Sequence, residues 1–175
     1  MHQIMVNKDL ALQVPNADSD VAEVYRLVDH SRKTLAKWLP WALTETMEIQ
    51  RAFLAQNIVD FKARKAVCFG IRYKHHYAGL ISFNTIDYNL RHAEIGYWLA
   101  DEYVGHGIMH QSLLALVDYG FTELSLKKLI LKIAVDNHRS NQVAINSGFR
   151  LNRVIKNGLE LNDGFHDENE WILLN

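Results

Sequence analysis

Between Ile95 and Met109 the chain reads IGYWLADEYVGHGIM. The apolar run ends near Leu99, a five-residue connection follows, and Gly105-His106-Gly107 leads into Ile108–Leu124, where Met109, Leu113, Val117 and Phe121 recur every fourth residue. This pattern predicts a strand, a short loop and an amphipathic helix that opens from a glycine turn. Glycines there let backbone N–H groups converge, and the helix N-terminus adds the positive end of its dipole, so the turn suits a phosphate or pyrophosphate. It is neither a Walker loop, which needs Gly-Lys-Ser/Thr, nor a dinucleotide fingerprint, which needs a third glycine and an acid about 20 residues on. His106 stands where a Lys or Arg would be expected to grip an anion, so the backbone must do most of the holding.

Upstream, Leu10–Val14 alternates and stops at Pro15, a short first strand. Asn16, Asp18, Ser19 and Asp20 offer capping groups for a helix to about Ala36 that buries Val21, Val24, Leu27 and Val28. Trp38-Leu39-Pro40-Trp41 is a rigid corner, read either as core packing or as a substrate contact, and Thr44–Ala63 is a second helix with Ile49, Phe53 and Phe61 on its stripe. Ala66–Tyr73, Tyr77–Asp87 and Arg91–Leu99 form an antiparallel meander, since the breaks between them are too short for crossovers. Downstream come a strand at Leu129–Val135, a helix at Arg139–Ser147 closed by Gly148, and strands near Arg153–Leu161 and Asp167–Leu174 around Asn162-Asp163-Gly164. The order is β, α, α, β, β, β, α, β, α, β, β, an α+β chain expected to form a single domain over residues 1–175.

A length of 175 residues with 49% apolar content is enough to build a core without disulfides or metals. The formal charge of -1 removes the electrostatic footprint of a general nucleic-acid or anionic-membrane binder, and no apolar run approaches a membrane span. Met1–Leu10 lacks a basic region followed by an apolar one, which points to the cytoplasm. Cys68, the single cysteine, falls on a predicted core strand and reads as a small buried hydrophobe. Among nine histidines, His106 and His110 have the spacing of a metal-binding helix but lack the Glu of HExxH, so no metal is expected.

Three segments carry a resemblance to a known family: IGYWLADEYVGHGIMHQSL at Ile95–Leu114, VDNHRSNQVAINSGF at Val135–Phe149 and KWLPW at Lys37–Trp41. With the order of elements, they resemble the GNAT superfamily of N-acetyltransferases, and within it the RimL-like group that acetylates ribosomal-protein N-termini. The resemblance implies a GNAT-like fold, a mixed and mainly antiparallel sheet of about seven strands flanked by about four helices. It also implies acetyl-CoA as co-substrate and direct transfer to an amine in a ternary complex. The superfamily loop Arg/Gln-x-x-Gly-x-Gly/Ala falls on Val104, Gly107 and Met109, so Gly105, His106, Gly107, Ile108 and Met109 are the implied pyrophosphate donors. Trp98, Leu99 and Ala100 would pair with the pantetheine arm as a neighbouring strand does.

In the Asn-x-x-Ser-Asn run, the resemblance assigns Asn137 and Asn141 to the cofactor arm and Ser140 to protonation of the leaving thiolate. From the residues alone, Asn137 and Ser140 read first as caps of the following helix, and the resemblance reverses that preference. The tyrosine that many superfamily members carry on the last short helix is missing, which leaves Ser140 as the acid. Glu94 is the first candidate base, or else a sheet carboxylate paired with Arg91 or Arg153; the upstream region Ala66–Phe69 has no acid. The acceptor implied is a protein N-terminal α-amine, with a small amine (aminoglycoside or polyamine) or a non-catalytic acetyl-CoA sensor as rival readings and a homodimer as the expected assembly.

Overall fold

The computed structural model describes residues 3–175. Twelve regular elements build it: β1 Gln3–Met5, β2 Leu10–Gln13, α1 Val21–Ala36, α2 Met47–Lys62, β3 Val67–Tyr73, β4 His76–Asp87, β5 His92–Leu99, α3 Ile108–Thr122, β6 Lys128–Ala134, α4 His138–Asn146, β7 Arg150–Leu161 and β8 Gly164–Leu174. The strands form one sheet in the order β1-β2-β3-β4-β5-β6-β8-β7. Every neighbouring pair is antiparallel except β5 and β6. The sheet thus has eight strands, one more than the sequence reading: β1 is three residues long, too short to show alternation, and forms a hairpin with β2.

The two faces of the sheet bury different helices. On one, Ile108, Leu113 and Leu116 of α3 and Ala144 of α4 pack against Phe69, Ile81, Phe83, Ile95, Leu129 and Leu131. On the other, Val24, Leu27, Val28 and Leu35 of α1 cover Cys68, Tyr77, Leu80 and Trp98. Each fully buried aliphatic side chain contributes about 1.5–3 kcal/mol.

Two local expectations are corrected. Asp20 stands at the N-cap of α1, but its carboxylate does not cap the helix; it accepts hydrogen bonds from Asn16 N–H (2.8 Å) and from the Tyr77 hydroxyl (2.7 Å). In α2 the buried residues are Gln50, Leu54 and Asn57, whereas Ile49 and Phe53 are 49% and 46% exposed. Asn57 lies inward because its amide bonds both main-chain groups of Cys68, at 2.9 and 2.7 Å, and so imitates a neighbouring strand. Apolar spacing reads this helix the wrong way round, since a satisfied amide can be buried and an apolar face can be left to a groove.

The junction of β5 with β6 positions the site. Their parallel pairing runs from His92↔Lys128 to Ile95↔Leu131 and stops. β5 nevertheless stays paired with β4 through Leu99, and β6 with β8 through Ala134. Beyond Ile95 the two strands therefore separate, and the sheet opens between them.

Candidate active site

A cleft of about 380 Å³ fills this opening and passes from one face of the sheet to the other. Gly96–Leu99 form one lip and Lys132–Ala134 the other, with Val104, Met109, Asn137 and Ser140 around its α3/α4 end. Ala100 N–H donates to Ala78 O at 2.9 Å, toward β4. Strand alternation then turns the backbone groups of Tyr97 and Leu99 the other way, into the space that β6 has left. Of the predicted run Trp98, Leu99 and Ala100, only Leu99 offers its main chain to the cleft, and Tyr97 is the residue that belongs beside it. Trp98 instead packs its ring into the α1 core, edge-on to Trp41 at 6.3 Å.

At the end of β5 a single 3-10 turn, Asp101–Tyr103, leads to Val104 and the glycine loop. Gly105 and Gly107 have φ of +89° and +71°, a left-handed conformation that side chains disfavour. Gly107 is the N-cap of α3, no side chain caps this end, and the first turn carries no acid. The first helical bond is Gln111 N–H to Gly107 O at 3.2 Å. The N–H groups of Ile108, Met109 and His110 precede it and have no intrahelical acceptor, as in any helix. Ile108 and Met109 bury their side chains in the core, which leaves only their backbone N–H groups for any ligand at this terminus. His106 bends back and donates from Nδ1 to Val104 O at 3.1 Å, while His110 Nδ1 lies 3.0 Å from the Ser147 hydroxyl. The described residues contain no group of three or more His, Cys, Asp or Glu placed to hold a metal.

The β6–α4 corner carries the remaining predicted residues. Asn137 Oδ1 caps α4 by accepting from Ser140 N–H at 3.3 Å, and both residues line the cleft. Asn141 does not face it. Buried at 8% exposure, its amide donates to the carbonyls of Ala134, Val135 and Asn137, and its oxygen accepts from Asn169 and from the Trp171 indole at 2.9 and 2.8 Å. The expectation that Asn141 binds the cofactor arm is therefore corrected: every lone pair and proton of the amide is already in use, and the residue fixes the corner on which Asn137 and Ser140 stand.

Ser140 has a partner that the sequence reading missed. Its Oγ lies 2.8 Å from the Tyr97 hydroxyl, and burial pushes the Tyr97 phenol up to about 12. Tyr97 comes from β5 and not from the last short helix. Alternation with Ile95 and Leu99 could have found it, since all three face α3 and α4.

On the opposite face, Glu94 forms an ion pair with Lys132 at 2.9 Å, in place of the Arg91 or Arg153 partner considered from sequence. Arg153 pairs with Glu170 at 3.0 Å, and Arg91 is bonded to Ser125 O. Hydrogen bonding by Glu94, with the charges of Glu168 and Glu170, holds the Lys132 ammonium above its ordinary value. Asn84, on a bulge of β4, lies across Gly96, where a Cβ would stand 2.7 Å from its amide nitrogen. Cys68 is buried and its thiol is pushed up to about 12 by burial, which leaves it unfit as a nucleophile.

A sheet opened at one strand pair turns peptide groups into the gap and sets a glycine-led helix terminus beside it, an arrangement that suits a ligand with an amide-bearing arm and an anionic tail. Comparison with known proteins agrees. Residues 9–150 match the family model described as the acetyltransferase (GNAT) domain. The chain is 34% identical over 167 residues to the ribosomal-protein-serine acetyltransferase of Escherichia coli (strain K12), covering 95% of this chain and 93% of that protein. Among solved structures it resembles RimL, the ribosomal L7/L12 alpha-N-protein acetyltransferase, in complex with coenzyme A, with a TM-score of 0.95, 31% identity and coverage of 99% and 98%. It also resembles the microcin C7 self immunity acetyltransferase MccE in complex with acetyl-CoA and AMP, with a TM-score of 0.93, 29% identity and coverage of 98% and 96%. The chain belongs to the GNAT acetyltransferase family and is an acetyl-CoA-dependent N-acetyltransferase.

Proposed function

We propose that this enzyme acetylates the N-terminal α-amine of a ribosomal protein, in the cytoplasm. One observation carries the choice of amine: both carboxylates that line the cleft are engaged, Glu94 with Lys132 and Asp101 with the Thr34 hydroxyl at 2.9 Å. An α-amine titrates at about 7.7–8.0 and is partly neutral at pH 7, whereas a lysine at about 10.4 is neutral in roughly one molecule in a few thousand. A site whose one candidate base, Glu94, is already shared with Lys132 suits the first. The names of the relatives supply the ribosomal acceptor.

Acetyl-CoA supplies the activated acyl group; the chain supplies position and protons. Gly105 to Met109 hold the pyrophosphate with main-chain N–H groups, and Tyr97 and Leu99 pair with the pantetheine amides. Asn137 holds the corner beside the thioester. As the amine nitrogen bonds to the carbonyl carbon, the Leu99 N–H stabilises the oxyanion, and Glu94 takes the amine proton through water. Collapse breaks the C–S bond, and Ser140 Oγ–H protonates the thiolate while Tyr97 donates to Ser140.

Purified protein, acetyl-CoA and a ribosome extract should yield one class of peptide heavier by an acetyl group, with the new mass on an N-terminus. A mass gain confined to lysines or to small amines would sink the acceptor assignment. Glu94→Gln should lower kcat/KM about tenfold at pH 7 and progressively less toward pH 9, where the α-amine is already neutral. A loss of the same size at both pH values would show that Glu94 is not the base.

A further inference from the structure

A second hollow, of about 360 Å³, lies between the turn Pro40–Leu43, the start of α2 and strands β4 and β5. Gly96, Tyr97 and Trp98 line both it and the cleft, so the two communicate at the reacting end. Its walls include Trp41, Ile49 and Phe53, three of the exposed apolar residues. Among them stands Glu45, 8% exposed. No hydrogen bond or ion pair to its carboxylate is found among the described residues. Arg32 is the cation whose charge reaches it, but the guanidinium donates to the carbonyls of Ala42 and Glu45, to Asp29 and to Tyr25. A carboxylate set in a mostly apolar wall without a partner is held at a cost, and its oxygens keep contact with the open hollow, where a cation can meet them.

An apolar slot with one carboxylate has a definite complement: a long alkyl stem ending in a cation. The stem covers the aromatic and aliphatic wall while the head meets the charge. Lysine and arginine have that form. The placement also fits, because the hollow shares Gly96, Tyr97 and Trp98 with the cleft, so an acceptor whose α-amine reaches the cleft can lay its next residues along the hollow.

We propose that Glu45 is a specificity determinant that receives the cationic head of a lysine or arginine at the second or third residue of the acceptor, the stem lying along Trp41, Ile49 and Phe53. This rests on the N-terminal acceptor reading above. Burial raises the Glu45 carboxyl above the usual carboxylate range, and the charge of Arg32 opposes this only in part.

The test uses N-terminal peptides identical except for lysine, norleucine or glutamate at residue 2 or 3, with the α-amine as the reacting group. The wild-type enzyme should prefer the lysine peptide over the norleucine peptide by about tenfold or more in kcat/KM, through KM, with glutamate worst, as expected of a charge-assisted contact. Glu45→Gln should bring the lysine-to-norleucine ratio close to one while leaving kcat on norleucine and the affinity for acetyl-CoA unchanged. Equal turnover of the lysine and norleucine peptides by the wild-type enzyme would overturn the proposal, as would a preference that survives Glu45→Gln. If no peptide is acetylated, the N-terminal acceptor reading fails. In that event 1,4-diaminobutane against butylamine keeps the two apart: a diamine preference lost in Glu45→Gln retains a cation site without the peptide, and no preference ends both.

Discussion

Ser140→Ala is expected to lower kcat about 10³-fold, within the range of a lost general acid, and to leave acetyl-CoA affinity nearly unchanged. The thiolate that leaves a thioester needs a proton. Ser140 Oγ lines the cleft and is 2.8 Å from a phenol that burial keeps protonated, with its pKa pushed up to about 12. A serine hydroxyl alone is a poor acid; a tyrosine that donates to it as it gives up its own proton makes the pair adequate. Tyr97→Phe should therefore cost about tenfold in kcat, and the double variant should be little worse than Ser140→Ala, because residues acting as one unit are not additive. Since both members hold their protons well above neutrality, the wild-type profile should show no loss of the acid up to about pH 10. Burst kinetics of CoA release separate this step from product release. Full turnover in Ser140→Ala, or additive losses in the double variant, would remove the assignment.

That pair shows where sequence reading succeeds and where it stops. The strand, glycine turn and helix of Ile95–Met109 were legible because φ-demanding glycines and a four-residue apolar period are local signals. The same holds for the antiparallel meander, whose breaks are too short for anything else. The three-residue β1 carries no period, so only its pairing with β2 reveals it. Partners across the fold are a matter of register, which no local pattern encodes. Ser140 was readable from its motif, but Tyr97 became its neighbour only through the packing of α4 on β5. Asn141 sits in the same motif, yet Trp171 and Asn169, nearly 30 positions on, occupy its oxygen. In α2 the local signal misled, because Asn57 is satisfied by Cys68 and is buried, while Ile49 and Phe53 face a hollow.

Gly107→Glu should weaken acetyl-CoA binding by 10²-fold or more, about 2.7 kcal/mol, as read by calorimetry or by displacement of a fluorescent CoA analogue. Two effects act at this position and have to be separated. The first is strain: Gly107 sits at φ +71°, and a side chain in that conformation costs about 1–2 kcal/mol. The second is charge: a carboxylate at the N-cap of α3 would take the N–H groups left open by the helix and repel a pyrophosphate from the same place. The carboxylate also favours the helix terminus, which offsets part of the strain, so the variant should remain folded. Gly107→Ala isolates the strain, because a Cβ there meets nothing closer than Gln111 Nε2 at 3.8 Å. Alanine should keep most of the affinity and glutamate should lose it, with the gap narrowing as salt is raised. If the two variants bind alike, backbone geometry and not anion recognition governs the loop, and the pyrophosphate must lie elsewhere.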